Sequence, residues 1–205
     1  MTADQLPGSI YRQERYVALK VCISDVSAST TELQILRHIA EAAPTEGFCH
    51  ITQLLGDFEH HGPNGTHKCL VFEPMGPSVN SMVEELPQFK PRKWGMEIRY
   101  PPWMAKSILK QSLQALRFLH DNGIAHGDFQ PGNMLFALDG IDSKPEEALR
   151  QDEDVESGSI SAAVQRVDGK QDRWAPRYLC IGQSLAPFTH HDEGFKIKLS
   201  DMGGG

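Results

Sequence analysis

The segment His126-Gly127-Asp128-Phe129-Gln130-Pro131-Gly132-Asn133 constrains this chain more than any other stretch. It sets an aspartate and an asparagine five positions apart on one tight loop, punctuated by glycine and proline. Its flanks are equally defined. Over residues 103–121 apolar side chains at Ile108, Leu109, Leu113, Leu116 and Leu119 predict the strongest helix of the chain, with proline at its start and Asn122-Gly123 as its stop. A short apolar approach, Ile124-Ala125, leads into the loop, and the apolar run from Met134 to Leu138 follows it.

Upstream, residues 15–23 (RYVALKVCI) have the pattern of a largely buried strand, with Lys20 as the odd member. A short amphipathic helix is expected from Ser27 or Ser29 to Ala43, with Leu33, Leu36, Ile39, Ala40 and Ala43 at helical spacing and Glu32 on it. Residues 50–58 and 68–72 read as two strands of a hairpin, turned at His61-Gly62-Pro63-Asn64-Gly65. Gly76-Pro77 breaks that pattern, a short helix is expected over 78–85, and a polar, proline-bearing stretch runs to Pro101-Pro102. Further on, a short strand is expected within 177–185. Residues 195–199 (FKIKL) alternate apolar and lysine before Ser200-Asp201-Met202-Gly203-Gly204-Gly205.

Composition narrows the function classes. Acidic residues outnumber basic ones 27 to 20 over 205 residues, and a net charge of −7 argues against direct binding to nucleic acid. The excess is local: between Asp139 and Gly158 eight acids stand against two bases, which reads as a solvated loop without a chemical role. The cysteines at 22, 49, 69 and 180 form no C-x-x-C pair, so a reducing compartment is expected. No run has the length of a signal-peptide core or a membrane span, and the expectation is an intracellular protein of cytoplasm or nucleus, away from membranes.

Taken singly, the polar residues have plain readings. Lys20 could snorkel from an edge strand, Glu32 could sit on a surface, and Asp201 could be a turn aspartate. Their order is more specific: strand lysine, helix glutamate, hairpin, long helix, H-x-D-x-x-x-x-N, and a strand ending in D-x-G. In this the chain resembles the eukaryotic protein kinases. The runs YVALKV, LVFEPMG, ALRFLHDNGIAHGD and KIKLSDMGG, with the long spacer between Asn133 and Asp201, resemble the SR-protein-kinase group, particularly its fungal-type members.

The resemblance implies an α+β, protein-kinase-like two-lobed fold in partial form. Residues 1–14 would be an extension without a Gly-rich loop, 15–76 a partial N-lobe and hinge, and 77–138 the start of the helical C-lobe with the catalytic loop. Residues 139–194 would be an acidic flexible spacer, and 195–205 the strand and metal-binding motif. It also implies serine/threonine kinase activity using ATP and Mg²⁺ on a protein substrate, with an Arg/Ser-rich one suggested by the subgroup. Asp128 would orient the substrate hydroxyl and accept its proton. Lys20 would hold the α- and β-phosphates with Glu32 fixing it, while Asp201 and Asn133 would hold the metal. Ala18, Phe72, the Glu73 carbonyl, the Met75 amide, Gln130 and Leu135 would complete the nucleotide site. For Phe72 and Met75, plain core packing is an equal reading.

Departures from the family pattern carry their own expectations. Gly127 stands where many kinases have arginine, so no cation is available there to dock a phosphorylated activation loop. Gln130 replaces a lysine, removing a charge near the transferring phosphoryl, and Met202 stands in for phenylalanine. No Gly-rich loop precedes Lys20, and no A-P-E motif follows Asp201. Leu109, Leu113 and Leu116 are therefore expected to leave apolar surface uncovered and the isolated fold marginal. Two other readings stay open: a small-molecule phosphotransferase of the aminoglycoside or choline kinase type, which also uses H-G-D-x-x-x-x-N, and a catalytically silent binding module.

Overall fold

The computed structural model describes residues 15–23, 31–42, 44–63, 65–91, 93–151, 158–165, 167–170 and 176–202. The expected N-cap serines of the first helix, the extension over 1–14, Asn64, parts of the spacer and the terminal glycines lie outside them.

Strand β1 (Ala18–Val21) runs antiparallel to β3 (Gly65–Phe72), which pairs on its other edge with β2 (Leu54–Gly62). The first strand starts at Leu54 rather than at the expected His50, which sits in a 3-10 turn, and the hairpin runs further outward to a tighter turn than the sequence suggested. Pairing continues out to Gly62↔Gly65, because Glu59 faces Lys68 and His61 faces Thr66 across the ladder, so polar residues extend it. Helix α1 (Thr31–Glu41) turns Leu33, Leu36 and Ile39 inward. Glu32 in its first turn sits where the helix dipole favours an anion.

The second sheet has the order β4 (Met75–Ser78), β5 (Met134–Ala137), β6 (Ile197–Leu199), all antiparallel. That Met75–Ser78 forms a strand corrects the expected break at Gly76-Pro77. β4 is an edge strand, so Pro77 need not donate to a neighbour on both sides. Helix α2 (Val79–Glu85) starts at Ser78, whose hydroxyl accepts from the Ser81 amide. Helix α3 (Pro102–Asp121) has proline at its first position, and the Asn122 side chain donates to the Phe118 carbonyl at its end.

The leucine stripe expected to define α3 splits. Ile108 and Leu119 are buried, Leu116 packs partly against the core, and Leu109 and Leu113 are 59% and 62% exposed. The buried face is instead Met104, Ile108, Gln111, Ser112, Ala115, Phe118 and Leu119. One continuous core joins α1, α2, α3, β5 and β6. At Gly47 (φ 99) a side chain would collide with the Gln114 carbonyl, so the 3-10 turn Phe48–His50 can lie directly on α3.

The strand expected within 177–185 does not form; Cys180 makes only an isolated bridge to Ile160. At the start of the acidic stretch, Tyr16 donates its amide to Asp142 (2.8 Å) and its hydroxyl to the Lys144 carbonyl (2.9 Å). Ile141 is buried there. Among the described residues no helix is long and apolar enough to cross a membrane.

Candidate active site

β1 is exposed at all four residues, where the sequence suggested a largely buried strand, because it is the edge strand of its sheet. Lys20 lies on the same side as its register partner Leu70 and reaches Glu32 on α1. Its ammonium lies 2.8 and 2.9 Å from the two Glu32 oxygens and 3.2 Å from Asp201 Oδ1. Residues separated by 12 and 181 positions thus meet at one cation. Burial lowers the pKa of the ammonium, but hydrogen bonds and charge from Glu32 and then Asp201 outweigh it, so the lysine stays above its ordinary value. Asp201 takes φ 62, a left-handed backbone that aspartate tolerates better than most residues.

A cavity of about 350 Å³ opens beside this cluster. Ala18, Lys20 and Glu32 line it from β1 and α1, and Phe72, Glu73 and Met75 from the segment joining the two sheets. Leu135 and Asp201 complete it, with Leu36, Thr52, Ser200 and Met202, which the sequence did not assign to the nucleotide site. Leu36 was legible as part of the α1 stripe. Thr52 was not, because its place depends on a hydroxyl bond to the Leu199 carbonyl, 147 positions away (2.9 Å).

Asp128, Gln130 and Asn133 lie on the neighbouring loop, outside that lining. Gly127 has φ 78, which glycine adopts freely. The buried His126 fixes the loop: its Nδ1 accepts from the Asp128 amide (3.3 Å) and its Nε2 donates to the Ser200 carbonyl (3.1 Å). The Ser200 amide and hydroxyl both donate to the Asn133 carbonyl, at 2.9 and 3.1 Å. Loop and Asp201 segment are therefore one hydrogen-bonded unit. Within it, Asp128 Oδ2 accepts from Asn133 Nδ2 (2.8 Å) and Gln130 Nε2 (2.7 Å).

The donor set fits a hard divalent cation. Asp201 offers a carboxylate, and the Asn133 amide, whose nitrogen is spent on Asp128, leaves its oxygen without a partner among the described residues. One or two such oxygens with waters and phosphates suit Mg²⁺. Among the described residues no cluster of three or more His, Cys, Asp or Glu forms a closed cage for another metal.

The protein kinase domain model matches residues 9–143, and the chain belongs to that family. Serine/threonine-protein kinase SKY1 of Saccharomyces cerevisiae is 29% identical over 178 residues, covering 78% of this chain. Protein kinase dsk1 of Schizosaccharomyces pombe is 37% identical over 131 residues, covering 62%. The chain spans 22% of the length of each. A crystal structure of a kinase domain aligns over 93% of this chain and 44% of its own, with a TM-score of 0.50 and 22% sequence identity, a likeness of fold.

Proposed function

We propose that this chain carries the nucleotide site and catalytic loop of a serine/threonine protein kinase that moves the γ-phosphate of ATP to a protein hydroxyl. The observation that carries this reading is the meeting of Lys20, Glu32 and Asp201 at the cavity. Lys20 is the one cation lining that cavity among the described residues, so it is the group available to offset phosphate charge there. Glu32 keeps it extended. Phe72, Glu73 and Met75 present the backbone of the inter-sheet segment to the base, with Ala18 and Leu135 as small apolar surfaces against it.

Asp128 orients the acceptor hydroxyl and takes its proton. Asp201 and the Asn133 amide oxygen would hold Mg²⁺, which supplies positive charge against the phosphates when bound. The acceptor class is an Arg/Ser-rich protein segment, supported by the resemblance to the SR-protein kinases. A cytoplasmic or nuclear location belongs to the same reading.

Two measurements test it. ATP titration by calorimetry with Mg²⁺ should show binding that weakens about tenfold or more in Lys20→Met, since a charged contact in a partly dry site contributes on the order of 1.5–3 kcal/mol. Radiolabelled transfer to an Arg-Ser peptide should be lost in Asp128→Ala. Equal transfer by both proteins removes the enzymatic claim, and unchanged ATP affinity in Lys20→Met removes the site.

A further inference from the structure

Gln130 is the position where the site carries a neutral side chain in place of a cation, and its geometry shows what that side chain does. Its Nε2 donates to Asp128 Oδ2 at 2.7 Å, beside the 2.8 Å bond from Asn133 Nδ2 to the same oxygen. Asn133 also donates to the Asp128 carbonyl at 2.9 Å, and the Gln130 carbonyl accepts the Asn133 amide at 3.0 Å. The turn Pro131–Asn133 begins with proline, so the backbone between the two amides is short and restricted. The Gln130 side chain folds back past Gly132, where a β-carbon would sit 3.8 Å from the carboxamide carbon.

We infer that Gln130 is a positioning residue that acts through Asp128. With Asn133 it holds Oδ2, and it thereby assigns Oδ1, which takes no hydrogen bond among the described residues, as the atom that receives the substrate proton. The inference rests on the phosphotransfer reading and deepens it. In the step it serves, the acceptor O–H proton passes to Asp128 Oδ1 and the freed oxygen forms a bond to the γ-phosphorus. The bond from that phosphorus to the β–γ bridging oxygen breaks, and ADP leaves with that electron pair.

Two neutral donors on one oxygen fix the carboxylate torsion without placing a charge on it. That is an orientational contribution, and a small misplacement of a base lowers the rate without changing nucleotide affinity. A glutamine that instead touched the phosphates would show itself in ATP binding.

The test uses two independent readouts on the whole chain. Gln130→Leu removes both donors at similar size; it should lower kcat for an Arg-Ser peptide about tenfold or more, as expected for one lost hydrogen bond to a charged group, with ATP affinity within about twofold. Gln130→Lys, which restores a donor, should recover kcat, and Gln130→Asn, one methylene short, should not. Without any turnover, the Gln130 side-chain amide protons should exchange with solvent several-fold faster in Asp128→Ala than in the parent chain. A Gln130→Leu protein with parental kcat, or one whose loss lies in ATP affinity, overturns the assignment, as do amide protons indifferent to Asp128. A parent chain that transfers no phosphate overturns the function itself, and the amide exchange still decides whether Gln130 holds Asp128.

Discussion

Lys198 and Glu73, 125 positions apart, form a two-oxygen ion pair at 2.6 and 2.7 Å with both side chains largely shielded from solvent. Glu73 Oε1 also accepts the Gln53 amide at 2.9 Å. One carboxylate thus ties the segment between the sheets to β6 and to the approach of β2. The sequence pointed to the Glu73 backbone for the nucleotide base, while the side chain holds the frame in which that backbone sits.

Removing one partner leaves the other shielded and unpaired, which costs more than the pair contributes. Glu73→Ala should therefore destabilise the chain by about 2–3 kcal/mol in urea unfolding. Glu73→Leu combined with Lys198→Met should recover most of that loss. A double variant as unstable as the single one would show that the pair itself supplies the stability.

The Lys20 cluster makes a pH prediction whose sign follows from the raised pKa. The folded chain holds this proton more tightly than the unfolded chain. Its contribution is therefore complete below the ordinary lysine value and is lost as pH rises through the higher folded value. The stability advantage of the parent over Lys20→Met should stay level through neutral pH and shrink in alkaline solution. Unfolding midpoints of both proteins, followed from pH 7 upward, check this, and an advantage that grows with pH contradicts it.

Elements set by local punctuation were legible from the residues alone. α3 has proline in front and Asn122-Gly123 behind it, and β6 alternates without ambiguity. β4 was not legible, because Gly76-Pro77 reads as a break until the partner β5 is known. The outer hairpin was missed for a related reason: its strand character comes from pairs such as Glu59 with Lys68 rather than from apolar runs. At the site, motif order named the residues that meet at the cavity. The groups that hold them, His126, Ser200 and Thr52, work through backbone carbonyls 74, 67 and 147 positions away, and no local pattern encodes such partners.

His50, in the 3-10 turn ahead of β2, reaches the second sheet by donating Nδ1 to the Ile197 carbonyl (2.9 Å) from a buried position. Burial holds its pKa below the usual histidine value; the bond to Ile197 acts in the opposite sense, and the charges of Lys196 and Lys198 reinforce the lowering. The unfolded chain therefore takes up the proton first as pH falls. Stability from a neutral His50 is full above about 6.5 and declines below it. His50→Gln should be less stable than the parent at pH 7.5, and the gap should narrow toward pH 5. Urea midpoints at pH 7.5, 6.5 and 5.5 measure it, and a gap that widens in acid would reverse the argument.

On α3 the side-chain count misleads and the contacts decide. Leu109 and Leu113 are expected from the sequence to leave apolar surface uncovered, and more than half of each faces solvent. Gln111 looks like a surface residue, yet it is buried and donates to Ser107 and the Phe195 carbonyl while accepting the Ile197 amide at 2.9 Å. Leu109→Ser and Leu113→Ser should accordingly change unfolding free energy by no more than about 0.5 kcal/mol, the range for surface positions. Phe118→Ala, which empties a fully buried site, should cost about 3–5 kcal/mol. Gln111→Leu should cost about 2 kcal/mol despite adding apolar surface, because it strands the Ile197 amide in the core. Chemical denaturation of the four variants ranks them directly. A loss of several kcal/mol in Leu113→Ser would mean that this face is covered in solution.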